Sequence, residues 1–269
     1  MNSCSKSVLS LALGIAIKEG YIKLDEKIVD VLRPLAPEKP SEYLGEITIR
    51  HLVTMTPGFG RYILPGWQRD WEEDKDWAHY CHHQEVLNKP GERFVYNNAS
   101  AILTSRAIQV RTGEKLLDWL RPRLFDPLEI PNPQWFTCPL GYTSGTGGLF
   151  LNPEEMSRIG QLCLDGGVCS GKELVPKEYV LEATSRRVAN EDHPMKSGSD
   201  DTAGYGYFFW MTRDPMTFDA YGMYGQHIYV FRELDAVVSV TAHLERVEMR
   251  QRAFDAMKKT IVPQLNENK

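Results

Sequence analysis

The sequence predicts an α+β fold, an antiparallel sheet flanked by helices with a large helical region ahead of the strands. Three observations carry that prediction. Residues 7–17 form an uncharged run with almost no polar face, and a helix apolar all round is buried all round. Helical periodicity then dominates the chain to about residue 166, whereas residues 205–243 read as four extended runs joined by short turns. A helical pattern closes the chain. Helices first, strands last and one final helix pack as a sheet covered by helices. At 269 residues, with 42% hydrophobic and 25% charged residues, the chain is an ordinary globular sequence with a sizeable core.

The first helix carries Leu9, Leu11, Leu13, Ile15 and Ile17 with Ala12 and Ala16, and Gly20 is placed to cap its C-terminus. Lys6 ahead of this run invites a signal-peptide reading. No small-x-small cleavage site follows, and Lys18-Glu19-Gly20 ends the run. It is also shorter than the roughly 20 apolar residues that span a membrane. A buried core helix is the expectation. Residues 24–35 read as short helix and turn, and residues 46–53 as another short helix closed by Pro57-Gly58. His51, among apolar neighbours, is expected to be satisfied by backbone.

Residues 64–89 are rich in Trp, Asp, Glu and His and read as a surface or lid segment. The group His79, Cys81, His82 and His83 raises a zinc reading. Adjacent His82 and His83 do not face one ion easily, and no second ligand pair stands at a familiar spacing, so no metal is assigned. Pro90-Gly91 opens a turn and a short extended piece through Tyr96. It leads into a helix with Ile102, Leu103, Ala107, Ile108 and Val110 on one face, ended by Gly113. Leu116, Leu117, Trp119 and Leu120 mark the next helix. Gly145-Thr146-Gly147-Gly148 lacks the Gly-Lys-Ser/Thr of a phosphate loop, and Ser144 does not sit in Gly-x-Ser-x-Gly. Asn152-Pro153-Glu154-Glu155 is a strong helix start: cap, proline at the first position, acids in the first turn. Met156, Ile159, Leu162 and Cys163 form the buried face. A polar loop (185–204) precedes the strands Tyr205–Met211, Thr217–Tyr221, Gln226–Phe231 and Ala236–His243, and a last helix runs from about Glu245 to Ile261.

The balance of 31 basic and 36 acidic residues gives a net charge of −5 and no basic stripe, which argues against a nucleic-acid partner. Five cysteines, Cys4, Cys81, Cys138, Cys163 and Cys169, are odd in number and scattered. That suits reduced thiols and a cytoplasmic setting.

The chemistry concentrates in Ser3-Cys4-Ser5-Lys6 at the head of the first helix. A serine and a lysine three apart share one helix face. A lysine desolvated by apolar neighbours loses its charge and can accept the hydroxyl proton, so the pair can make a nucleophile without histidine. The motif alone is weakly specific.

Ser3-x-x-Lys6, Tyr96-Asn97-Asn98 ahead of a helix, and a glycine-rich strand pair near Gly222–Gln226 occur in an order that resembles the serine β-lactamase and penicillin-binding-protein superfamily, in particular the class C β-lactamase-like serine hydrolases and esterases. Segments 48–58, 90–98, 123–128 and 147–153 are similar to family segments too, so the resemblance covers nearly the whole chain. It implies a β-lactamase/transpeptidase-type sheet with a helical part over 25–170. A single catalytic unit of 1–269 follows, with 1–24 and 171–269 forming the α/β part. It also implies acyl transfer through a serine ester on a small-molecule or peptide-like ester or amide, with no cofactor. Ser3 matches the nucleophile and Lys6 the lysine that helps deprotonate it. Tyr96 matches the tyrosine that passes a proton to the leaving group, and Asn98 the asparagine that holds lysine and substrate.

Two departures stand out. Family members usually place Lys, His or Trp two residues before a glycine on the strand lining the site. Here Ala220 precedes Tyr221-Gly222, so a group that would hold a substrate carboxylate is missing, and penicillins are expected to be poor substrates. His227 could substitute only in an altered register. An oxyanion hole of backbone amides, from Ser3 and a residue near Met223, is unaffected by that loss. Family members also carry a helix and two strands before the nucleophile. This chain starts almost at Ser3, so the sequence reads as N-terminally truncated, or as a protomer whose open sheet edge is covered by another copy. The rival functional reading is a catalytically impaired family member that binds a ligand in the old cleft.

Overall fold

Residues 1–60, 75–191 and 203–267 are described by the computed structural model. Segments 61–74 and 192–202, within the stretches to which the sequence assigns a lid and a polar loop, lie outside the described residues.

Helix α1 (Cys4–Lys18) runs through the middle of the molecule, and every residue from Cys4 to Ala16 is buried. Short helices α2 (Ile28–Val31), α3 (Glu42–Glu46), α4 (Ile49–Val53) and α5 (Trp77–His82) lead to the long α6 (Asn98–Thr112), followed by α7 (Leu116–Leu120). A two-stranded ribbon pairs β1 (Gln134–Trp135) with β2 (Leu149–Phe150). Helix α8 (Pro153–Leu164), the hairpin β3 (Val168–Cys169) and β4 (Lys172–Glu173), and helix α9 (Lys177–Ala183) come next. The main sheet has four antiparallel strands in sequence order: β5 (Trp210–Met211), β6 (Thr217–Gly222), β7 (Gln226–Phe231) and β8 (Ala236–Val240). Helix α10 (Val247–Glu267) closes the chain.

The sheet is covered on both faces. Helices α1 and α8 pack on the face that presents Ala220, Gly222 and Ile228. On the other face Tyr229 and Phe231 meet Met257, Ile261 and Val262 of α10. Alternation of side chains along a strand sets this division. Gly14 lets α1 approach α9 closely, because a Cβ there would lie 2.6 Å from both Val175 and Tyr179.

Local signals fix several helix ends. Asn152 and Glu155 form a reciprocal capping box on α8: Glu155 N–H donates to Asn152 Oδ1 at 2.9 Å, and Asn152 N–H donates to Glu155 Oε2 at 2.8 Å. The α4 box uses His51 in place of an acid. Thr48 N–H donates to its Nδ1 at 3.1 Å while His51 N–H donates to Thr48 Oγ1.

The structure departs from the sequence expectation in three places. Helix α6 has no single apolar face: Ser100, Thr104, Ser105, Arg106 and Gln109 are buried as well, and Val110 is 44% exposed. The cause is its position among α1, α2, α4, α5 and α7. The expected strand Tyr205–Met211 pairs as a strand only at Trp210 and Met211. Phe208 adopts a φ of 60°, its N–H donates to Val53 O, and its carbonyl accepts from Ser7 Oγ at 2.6 Å. The aromatic run is therefore a buried turn anchored to α1 and α4 rather than an extended strand. Finally, the stretch read as a surface segment is partly core: at α5 His79 and His83 are exposed with rings 4.1 Å apart, but Ala78, Cys81 and His82 are buried.

Neither ring nitrogen of His82 makes a well-formed hydrogen bond. Burial, then the neighbouring His83 and His79, push its pKa down to about 4, against a smaller opposing pull from the Leu35 backbone. Between that value and the ordinary 6.5 the unfolded chain binds the proton and the folded chain does not. Stability attached to His82 is therefore complete above about pH 6.5 and is lost as pH falls toward 4, on the order of 3 kcal/mol. His82→Leu is expected to flatten the acid limb of stability measured by chemical denaturation at pH 7, 5.5 and 4. An unchanged acid limb would refute the assignment.

Candidate active site

Ser3 occupies the N-cap of α1 without capping it. Its backbone is already helical (φ −65°, ψ −9°) and its side chain accepts nothing from the first turn. The hydroxyl instead meets Lys6, whose Nζ lies 3.0 Å from Ser3 Oγ. One helical turn separates the two, so the contact follows directly from their spacing. Lys6 Nζ also donates to the Thr146 carbonyl at 2.8 Å, and the residue is 1% exposed. Among the described residues no carboxylate pairs with it. Burial accordingly pushes its pKa down to about 7, with only a small opposing pull from Cys4. Near neutrality a large share of Lys6 is uncharged, and its lone pair can take the Ser3 proton.

The Thr146 carbonyl reaches Lys6 because the turn that carries it is pressed between helices. A Cβ at Gly145, where φ is +73°, would lie 2.8 Å from Leu9 of α1 and 2.9 Å from Ser105 of α6. Both the left-handed backbone and the close approach call for glycine. Ser105 Oγ donates to Thr143 O at 2.6 Å and holds the same turn from the α6 side.

Tyr96 stands opposite, with its ring centroid 5.2 Å from Lys6 Nζ. It is 6% exposed and stacked on Trp210, with centroids 5.4 Å apart. The backbone that carries it is tied to Met55: Val95 N–H donates to Met55 O at 2.8 Å, and Asn97 N–H points at Met55 Sδ. Asn97 then caps α6 through Ala99 N–H at 2.8 Å, which makes Asn98 the buried first residue of that helix.

The end of β6 lies against the head of α1. A Cβ at Gly222 would be 3.1 Å from Cys4 Sγ and 3.3 Å from Cys4 N. The Cys4 thiol donates to Ala220 O at 3.0 Å, and burial raises its pKa far above the ordinary thiol range. Ala220 is itself buried and brings no charge to the strand. Asn2 Nδ2 donates to Met223 O at 2.8 Å, so Met223 begins the loop held against the residue before Ser3.

Of the residues singled out from sequence, Ser3, Lys6 and Tyr96 therefore come together. Asn98 begins the helix that follows Tyr96, and Ala220, Gly222 and Met223 line the adjoining strand end. Tyr221 lies on the opposite face from Ala220 and Gly222, where it pairs with His227 across β6 and β7 and stacks on its ring with centroids 4.8 Å apart. Its ring also meets Trp210, the residue stacked on Tyr96, edge-on with centroids 6.5 Å apart. His227 is engaged there too, its Nδ1 lying 2.7 Å from Asp219 Oδ2. A one-residue offset decides the face in a strand, and the register gives His227 no place at the Ala220 position. Sequence reasoning missed Thr146, Cys4 and Gln226. The glycines around Thr146 were the available signal, whereas a backbone acceptor has no side-chain signature.

Helices over a four-stranded antiparallel sheet, with a serine–lysine pair at the head of the central helix and a tyrosine facing the lysine, form the arrangement of the penicillin-recognising serine enzymes. The chain belongs to the Beta-lactamase family, whose model matches residues 1–260. It is 24% identical over 234 residues to an uncharacterised protein of Alkalihalophilus pseudofirmus, a match covering 79% of this chain and 60% of that protein. It is 23% identical over 255 residues to the 6-aminohexanoate-dimer hydrolase of Paenarthrobacter ureafaciens, covering 88% of this chain and 64% of the hydrolase. A solved structure described as "Putative 6-aminohexanoate-dimer hydrolase from Bacillus anthracis" superposes with a TM-score of 0.76 at 17% identity, over 96% of this chain and 72% of that one. The chain thus spans less than two thirds of the length of these two curated relatives. No helix among the described residues is long and apolar enough to cross a membrane.

The burial of Lys6 has a thermodynamic consequence. Its pKa in the folded chain is about 7 against an ordinary 10.5. At neutral pH and below, holding this amine in the core costs stability, and the cost fades as pH rises from 7 toward 10.5. Lys6→Met is expected to be more stable than the parent at pH 7, by up to a few kcal/mol, with the difference shrinking by pH 10. Denaturant titrations at the two pH values test this, and equal or lower stability of the variant at pH 7 would overturn it.

Proposed function

We propose that the chain is a serine hydrolase that cleaves an ester or amide through an acyl-enzyme on Ser3. The observation that carries this reading is the buried Lys6 amine, 3.0 Å from Ser3 Oγ with its pKa pushed down to about 7. A charged lysine in that position would donate to the serine. A neutral one accepts from it, and general-base activation is the chemistry such a pair supports.

In this reading Ser3 Oγ attacks the substrate carbonyl carbon as its proton passes to Lys6 Nζ. The oxyanion of the tetrahedral intermediate is held by backbone amides, those of Ser3 and of a residue near Met223. Collapse breaks the bond to the leaving amine or alkoxide, which takes a proton by way of Tyr96. In this reading Tyr96, whose ring centroid stands 5.2 Å from Lys6 Nζ, carries the proton from Lys6 to the leaving group. Asn98 steadies Lys6 and the bound substrate. Water then attacks the ester and releases Ser3.

For the substrate, Ala220 leaves the strand without the cation that would hold a carboxylate next to the scissile bond. An uncharged acyl group at that position fits better than a penicillin. Likeness to a 6-aminohexanoate-dimer hydrolase supports a linear amide as the bond cleaved. The alternative, ligand binding without turnover, draws on Ala220 as well.

The deciding measurement is intact-protein mass after exposure to a fluorophosphonate and, separately, to a penicillin, beside a Ser3→Ala control. One fluorophosphonate adduct on the parent, absent from the control, with little or no penicillin adduct, is the expected result. Its rate should rise with pH through about 7 and level off above, as Lys6 loses its proton. No adduct on well-folded protein would favour binding without turnover.

A further inference from the structure

One side chain bridges the two pieces of backbone that the proposed chemistry needs to hold together. Gln226 begins β7 immediately after the tight loop 223–225, in which Tyr224 (φ 75°) and Gly225 (φ 93°) both adopt the left-handed conformation. Gln226 is 9% exposed, and both ends of its carboxamide are engaged. Gln226 Oε1 accepts from Asn2 N–H and from Asn2 Nδ2, each at 3.0 Å, and Nε2 donates to Ala242 O at 2.8 Å. Asn2 Nδ2 in turn donates to Met223 O at 2.8 Å. The residue before Ser3 is thereby tied to both ends of the loop, by its backbone and by its side chain.

The bonds are arranged so that neither partner can shift alone. Moving the loop away from α1 breaks the two bonds from Asn2 to Gln226 and the one to Met223. Moving Asn2 displaces Ser3, the next residue. Tyr224 is a bulky residue held at positive φ, a conformation that costs about 1–3 kcal/mol and persists only where its surroundings over-determine it. The Gln226 carboxamide, anchored to Ala242, is one of those surroundings.

We propose that Gln226 is the positioning residue of this site, and that with Asn2 it holds Ser3 and the loop 223–225 as one rigid body, fixing the distance between the nucleophile and the second oxyanion donor. The proposal rests on Ser3 being the nucleophile. Gln226 does not touch the reacting atoms and acts through Asn2 and Met223. Displacements of about 1 Å in such a geometry lower rates by roughly a hundred-fold.

The experiment measures the rate constant of fluorophosphonate labelling per titratable serine, by intact mass, for the parent, Asn2→Ala, Gln226→Leu and the double variant, with a thermal melt of each. End-point labelling counts competent sites and so corrects for irreversibly misfolded protein, while the melt shows that each variant is fully folded at the labelling temperature. Asn2→Ala removes a half-exposed side chain and keeps the test open if Gln226→Leu folds poorly. The expected result is a fall of roughly ten- to hundred-fold in the per-site rate for each single variant. The double variant should be no slower than the slower single one, because partners in one network do not add. Parental per-site rates, or losses that multiply in the double variant, would overturn the proposal while leaving Ser3 as nucleophile. A parent that takes no label would instead remove the nucleophile reading, and this proposal with it.

Discussion

A lysine buried between a serine hydroxyl and a backbone carbonyl, with no carboxylate paired to it among the described residues, is the constraint on which the rest of this structure depends. Taking an ammonium group out of water is costly unless the charge is paired, and the usual release is loss of the proton. Lys6 is kept in that condition by its surroundings. Apolar residues of α1 and α6 exclude water, Thr146 supplies one neutral acceptor, and the Tyr96 ring supplies a polarisable face. A single acid placed alongside would restore the charge.

The elements around Lys6 are each positioned by something simple. The turn bearing Thr146 is set by a glycine wedged between two helices, and Tyr96 is set by backbone bonds to Met55. The strand end opposite is set by the Cys4 thiol on Ala220 and the Asn2 side chain on Met223. Three separate parts of the chain thus meet at the first turn of α1. That convergence explains why its early residues are buried although several are polar. Ser5, Ser7 and Ser10 all sit in the core, and each has a hydrogen-bond partner there.

Much of this was legible beforehand because the relevant signals are local. A spacing of three on a helix brings Ser3 to Lys6, a proline-led capping box starts α8, and alternation with short turns gives the meander. What escaped is non-local. Alternation in strand β6 says that Ala220 and Tyr221 face opposite ways, yet which one faces α1 is settled only by packing. Phe208 reads as a strand residue by composition, and its fate was decided by Val53 and Ser7, far away in sequence. Val110 seemed to belong to a buried stripe, but α6 is surrounded on so many sides that its polar residues are buried too. The acceptor for Lys6 is a peptide oxygen, which every residue possesses and no motif records.

The cysteine beside Ser3 carries a last implication. Four of the five thiols, Cys4 among them, are buried, and only Cys169 is partly accessible. Thiolate is the reactive form of cysteine, and at Cys4 burial suppresses it just one residue from Ser3. In the first turn of α1, then, a sulfur lies beside a hydroxyl without being open to the reagents that attack thiols. Peroxide, metal ions and alkylating compounds would meet Cys169 on the periphery first. A thiol so near the Ser3 hydroxyl would ordinarily be a point of oxidative weakness, and here depth removes it.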